Sequence, residues 1–347
     1  MLWLFSRRSR LSVVAGATLL GLAACSSSSG GGAASPIAVA SSSAAASPSV
    51  SQTPEVQRSL LSGRVGEKDG PVLAVKLDNT SHANPHSGLM DADVVYLEQV
   101  EYGITRYAAI YSTRIPKAIG PIRSARIADL ELLPQYGKVA FAYSGAQHRL
   151  RPHIAAAPLY DVSGDKGPSG YWRQSGRYAP YNFFGNGQDL LKRAPHAQKP
   201  HDVGFTFSDE APAGGKRVTS VTARWPSARA EFTWSRSKHR WLLTMDGTKA
   251  MSTEGPQLGG TTVIVQYVTM YDSGYGDKFG GRTPMSDTVG SGKALILRNG
   301  KAYAGAWSRP SKDKGTTWTV GGKEFPLAGG QVWVLLVNKN SKAQQQS

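Results

Sequence analysis

One cysteine stands in this chain of 347 residues, at position 25. No disulfide can form within a monomer, so packing alone must hold the fold, and a second thiol cannot take part in catalysis. Acidic side chains are also scarce. Asp and Glu number 24 against 40 Lys and Arg, for a net charge of +16. Arg7, Arg8 and Arg10 carry three of those charges, which leaves +13 beyond the N-terminal leader. The apolar run from Leu11 to Leu22 falls short of the roughly 20 residues that span a bilayer as a helix. Zinc-finger spacing, an RNP-type aromatic signature and a G-x-S-x-G nucleophile elbow are all missing, so nucleic acid is not an expected partner. Gly292-Lys293 is followed by Ala294, and Asp287 stands where a P-loop needs its first glycine. His82 and His86 have helical spacing, but Asn84 and Pro85 make that segment a loop. His148 and His153 are separated by Pro152. No metal and no cofactor is expected.

What is present begins at the N-terminus. Leu22-Ala23-Ala24-Cys25 resembles a lipobox, preceded by an arginine-rich start and an apolar segment of signal-peptide length. Lipidation needs a sulfur nucleophile beside small residues, which accounts for the lone thiol. Residues 1–25 are thus expected to be a lipoprotein signal peptide, with Cys25 as the lipidation site. The mature chain would sit on the extracytoplasmic face of a bacterial cell membrane. Each acyl methylene buried there contributes ~0.8 kcal/mol. Ser6-Arg7-Arg8 hints at twin-arginine export, but Arg10 replaces the usual apolar residue and favours ordinary secretion.

Residues 26–59 are rich in Ser, Ala, Gly and Pro and read as a flexible linker. From Pro71 onward short apolar strands alternate with loops. A helix is expected after Arg123, where Ile127, Leu130 and Leu133 recur at three-residue spacing before Pro134. Residues 60–208 therefore read as an α+β or α/β domain. The Ser208–Gly215 stretch reads as a linker, and residues 216–338 as a smaller all-β domain, with a hairpin at Asn299-Gly300. Residues 339–347 read as a disordered tail. Six of the eight tryptophans fall in the β half, either as a sugar-stacking face or, more simply, as core.

The densest functional signal runs from Ile119 to Asp129. Gly120-Pro121 forces a turn, and Arg123, Ser124 and Arg126 would occupy the first helical turn. Backbone N–H groups and two guanidinium groups there would hold an anion. The alternative is internal pairing with Glu98, Glu101 or Asp129. Arg106 would join the ligand set, and the aromatic, basic loop at Trp172, Arg173 and Asn182 would form its wall. A loop packed on its own aromatics is the other reading of that segment. Asp78, Glu98 and His148 are the acid–base candidates, because sheet enzymes often place such groups at strand ends.

Several stretches carry a family resemblance. Ala74-Val75-Lys76-Leu77-Asp78-Asn79, Ala92-Asp93-Val94-Val95-Tyr96, Gly103-Ile104-Thr105-Arg106, Gly120-Pro121-Ile122-Arg123-Ser124-Ala125-Arg126 and Tyr171-Trp172-Arg173 resemble the YerB-like lipoproteins, the DUF3048 family. Gly290-Ser291-Gly292-Lys293-Ala294 and Gly305-Ala306-Trp307-Ser308-Arg309 resemble its C-terminal domain. Tyr181 stands where the family typically has histidine. The resemblance implies a two-domain envelope lipoprotein and no particular activity. Three functions follow as expectations: binding of an anionic wall polymer or glycan, hydrolysis of the cell envelope, or a structural role with a protein partner.

Overall fold

The computed structural model describes residues 57–277 and 279–347. The leader, Cys25 and most of the linker lie outside them. Apolar runs without a polar face become strands covered on both sides. β1 (Leu73–Asp78), β2 (Val94–Gln99), β3 (Thr105–Tyr111), β4 (Val139–Ala142) and β5 (Leu159–Asp161) are of this kind or flank it. β6 (Tyr171–Arg173) and β7 (Phe183–Gly185) form a separate hairpin. The second half opens with β8 (Lys216–Arg217), β9 (Ser220–Trp225), β10 (Ala228–Ser235), β11 (Arg240–Met245), β12 (Thr248–Lys249) and β13 (Gly259–Gly260). It continues through β14 (Thr262–Gly276), β15 (Arg282–Asp287), β16 (Gly290–Arg298), β17 (Lys301–Arg309), β18 (Thr317–Val320), β19 (Lys323–Glu324) and β20 (Val332–Asn338).

The strand order is β19-β18-β17-β16-β14-β20-β2-β3-β1-β4-β5, with β15 and β8 attached to make a 13-stranded mixed sheet. This overturns the expected α+β (or α/β) domain followed by a smaller all-β domain, because one sheet runs through both halves. The reason lies in β20. Its residues are buried from Val332 to Val337, so it is stable only as a central strand. It pairs in parallel with β14 on one side and β2 on the other. Helix is confined, among the described residues, to short segments such as Asp129–Leu132, Arg151–Ala156 and Gly187–Lys192. None is long and apolar enough to cross a membrane.

Alternation decides which residues meet on each face. Leu73, Val75, Val95, Leu97, Val263 and Leu335 pack through Val221, Phe232, Trp241 and Leu243 against a second, six-stranded sheet, in which β12, β11, β10 and β9 run in that order with β13 beside β11 and the C-terminal strand Gln344–Gln346 beside β9. Ala74, Val94, Tyr96, Ile264 and Val334 point the other way, onto Leu132, Leu133 and Ile154. The tryptophans of the β half are largely core: Trp225, Trp241, Trp307, Trp318 and Trp333 are buried, and Trp234 is half-buried beside Trp241. Asn299 and Gly300 both have positive φ (50° and 71°) and join β16 to β17. Residues 339–347, expected to be disordered, end in β21 (Gln344–Gln346), which pairs with β9.

Candidate functional site

Charged residues interrupt the apolar strands on one face. Arg106 in β3 lies directly opposite Asp78 in β1 and Glu98 in β2, so all three side chains leave the same face. Lys76, two residues before Asp78, shares it. All four are buried. Such charges are tolerable only with partners. Lys76 Nζ lies 2.5 Å from Glu98 Oε2 and 2.7 Å from Asp129 Oδ1. Arg123 Nε forms an ion pair with Asp78 Oδ2 at 2.6 Å. Arg126 grips both oxygens of Glu101 at 2.6 Å. Four cations and four carboxylates thus form one cluster.

Titration follows from this crowding. Burial pushes the Glu98 carboxyl up to about 7, and the neighbouring Asp129 charge adds to that, against the pull of Lys76. Glu98 Oε1 is buried without a hydrogen-bond partner among the described residues. Burial also pushes the Arg106 guanidinium down to about 9, with Arg126 and Arg123 adding to the shift. Arg106 has no carboxylate within ion-pair range among the described residues. Its Nη1 donates to the Ser124 carbonyl at 2.8 Å instead.

The helix expected to begin at Arg123 does not. Residues 122–125 are laced into extended structure: Arg123 N–H donates to Lys76 O, and Ala125 N–H donates to Gly145 O. The helix starts at Asp129 and lasts four residues. Arg123, Ser124 and Arg126 are therefore not a helix N-terminal anion site. Sheet pairing outcompetes the helical period here, because β1 offers those backbone groups partners.

Beside the charge cluster lies a cleft of about 600 Å³. Segments 124–127 and 144–151 form one wall, and the β14–β15 hairpin forms the other. Ser124 and Ser144 approach with their hydroxyls 3.5 Å apart. Gln147 Oε1 is buried and unpartnered among the described residues. Arg151 pairs with Asp165 at 3.0 Å. Tyr275 closes the far side, flanked by His153 and by the Arg149 guanidinium 5.5 Å from its ring. Asp277 Oδ1 accepts from the Tyr102 hydroxyl and from the Gly281 N–H, which fixes the hairpin tip.

Of the sequence candidates, Ser124, Arg126 and His148 line this cleft. Arg106 and Arg123 lie behind it in the charge cluster, with Asp78 and Glu98. Trp172, Arg173 and Asn182 are not part of its wall. Arg173 donates to Asn182 at 2.9 Å and stacks over Phe183, while Trp172 donates to Gln174. That loop is packed on its own aromatics, and Arg177 ties it to the Ala83 carbonyl. Sequence reasoning missed Lys76, Gln147, Arg151 and Tyr275. A lysine inside Leu-Ala-Val-Lys-Leu-Asp was a readable signal for the first. The others come together only through folding.

Comparison with known proteins agrees with this architecture. Residues 61–200 match the N-terminal domain described as Protein of unknown function (DUF3048), and residues 221–334 match its C-terminal domain. The chain is 26% identical over 290 residues to "Putative lipoprotein YerB" of Bacillus subtilis (strain 168), covering 76% of this chain and 80% of that protein. Its fold is similar to the crystal structure of the YerB protein from Bacillus subtilis, with a TM-score of 0.70 and 22% identity. That likeness covers 84% of this chain and 100% of the other. With both domains matched in order and the fold shared across them, the chain belongs to the DUF3048 family of YerB-like proteins.

Proposed function

We propose that this chain is a lipid-anchored binding protein of the extracytoplasmic membrane face, and that its cleft holds a hydroxyl-rich segment of an envelope glycan. The signal-peptide pattern ending at Cys25 and the name of the Bacillus relative support the anchoring. Charge supports the ligand class. Both arginines lining the cleft are matched, Arg126 by Glu101 and Arg151 by Asp165. Neither of these two guanidinium groups is left free for an anion. What remains is a set of serine hydroxyls, an unpaired amide oxygen at Gln147 and the Tyr275 ring. Mixed donors and acceptors beside an aromatic face suit a sugar, whose hydroxyls need both.

Hydrolysis draws less support. Asp78 and Glu98 are 1% exposed and committed to Arg123 and Lys76, so neither faces the cleft. His148 lines it without a carboxylate partner among the described residues.

The reading is tested by titrating short N-acetylhexosamine oligomers into the full-length chain and its Tyr275→Ala and Gln147→Ala variants. Each variant should weaken binding about tenfold. Equal binding by all three chains would remove the cleft from consideration. Cys25→Ser should move the protein from the membrane fraction to the medium; retention on the membrane would overturn the anchor.

A further inference from the structure

Past Val268, β14 leaves the main sheet and pairs only with β15, so the two strands form an arm. On the side of this arm away from the cleft lies a second cavity of about 680 Å³, bounded also by the turn between β9 and β10 and by residues 338–341. A third cavity, of about 390 Å³, adjoins it at Asn340. Unlike the cleft, neither has its cations matched by carboxylates.

Arg224 and Arg282 line the second cavity, with Asp272 as its one carboxylate. Arg282 stands 3.6 Å from Asp272, and both side chains are exposed. Arg224 is exposed and has no carboxylate within ion-pair range among the described residues. Its Nη2 donates to the Gln344 side-chain oxygen at 3.3 Å instead. Strand register sharpens the imbalance. Arg229 in β10 lies directly opposite Arg224 in β9, so both side chains leave one face of the sheet. Glu231, two residues further along that face, lies opposite Thr222, and among the described residues it forms no ion pair with either arginine. Like charges opposed across two strands repel, and an anion beside Arg224 relieves the repulsion. The third cavity repeats the excess. Lys293 and Lys339 line it with Asp287, and neither lysine forms an ion pair among the described residues.

We infer that the second and third cavities together bind a polyanion, and that its class is a polyol polymer linked by phosphodiesters. Four cations against two carboxylates in adjoining cavities call for more than one anionic group, carried on one molecule. The two free oxygens of a phosphodiester match the guanidinium fork of Arg224. The side-chain amides of Asn338 and Asn340, between the two groups of cations, suit the hydroxyls of a polyol spacer. Affinity then grows with chain length, because the second phosphate reaches its lysines without a new association cost. This site is separate from the cleft and does not depend on the glycan reading.

The test is calorimetric titration of the full-length chain with glycerol phosphate oligomers of one, three and six units, beside vesicles of phosphatidylglycerol. The six-unit oligomer should bind about tenfold or more tighter than the single unit, and less tightly as salt is raised. Arg224→Gln and Lys339→Gln, both at exposed positions, should each weaken its binding about tenfold. Without ligand, Arg224→Gln should melt no lower than the wild type, because it removes a repulsion. Equal affinity for one and six units, or six-unit binding untouched by Arg224→Gln, overturns the inference. So does a lower melting temperature for Arg224→Gln, which would make the arginine structural. Binding to the vesicles but not to the oligomers would assign the cations to a lipid surface and overturn the polymer. Loss of six-unit binding in Tyr275→Ala would move the polymer to the cleft. Absence of oligomer binding overturns this inference and leaves the glycan reading of the cleft standing.

Discussion

Arg126 and Glu101 meet through two parallel contacts of 2.6 Å each, and the same carboxylate accepts the hydroxyl proton of Thr283 on the β14–β15 arm. This fork joins the cleft floor to the β14–β15 hairpin, although Arg126 and Thr283 stand 157 positions apart in the sequence. Burial pushes the Glu101 carboxyl up, but the hydrogen bonds and charge of Arg126 outweigh it and leave the group below its usual range. Glu101→Gln strands a mostly buried guanidinium. The expected cost is about 3–5 kcal/mol in denaturant unfolding, and less in the Glu101→Gln, Arg126→Met double variant. A single variant as stable as the wild type would mean the pair is solvated.

The Lys76 triad responds asymmetrically to its two ends. Lys76→Met leaves Glu98 and Asp129 without a cation in the core and should cost about 3–5 kcal/mol at neutral pH. Glu98→Gln should cost only about 1 kcal/mol or less there, because Glu98 already carries a proton part of the time. Urea midpoints for the two variants would decide; equal losses would contradict the assignment.

Opposed titrations shape the acid response. His86 Nε2 lies 2.8 Å from the Asp78 carbonyl, and burial pushes the imidazole down to about 4. Its folded value is below the unfolded one, so its contribution is full above about 6.5 and is lost as pH falls toward 4. Glu98 is raised, so its contribution is full below about 4.5 and is lost as pH rises through 7. Between pH 4.5 and 6.5 the two slopes oppose each other. Glu98→Gln removes one of them. The variant should lose stability more steeply than the wild type between pH 6.5 and 4, with up to about 3 kcal/mol from His86 alone. Parallel pH profiles for the two proteins would contradict this.

Gly292 lies against Trp307. A Cβ added there would stand 2.6 Å from Trp307 Nε1 and 2.8 Å from the Tyr267 carbonyl, the two atoms that hydrogen-bond at 2.9 Å. Gly292→Ala should therefore cost about 1–3 kcal/mol and alter tryptophan emission. An unchanged melting temperature would show that the strands separate freely.

The individual strands were legible in the sequence because their signal is local. Leu73–Asp78, Thr105–Tyr111 and Val332–Asn338 each announce themselves by apolar runs, and Asn299-Gly300 announces its turn. The site was legible only in part. Arg123, Ser124 and Arg126 stood out, but the three-residue spacing of Ile127, Leu130 and Leu133 suggested a helix that would include them, and pairing with β1 and the segment after β4 prevents it.

Residue chemistry by itself determined that no disulfide forms within this chain and where its short apolar strands lie. Tertiary structure alone decided that β20 joins the two halves in one sheet, and that Glu101, not a ligand, neutralises Arg126. The cleft between segment 144–151 and the β14–β15 arm was decided there too. Strand order and charge partners depend on contacts between residues far apart in the chain, and a local pattern specifies a face without specifying what that face will meet.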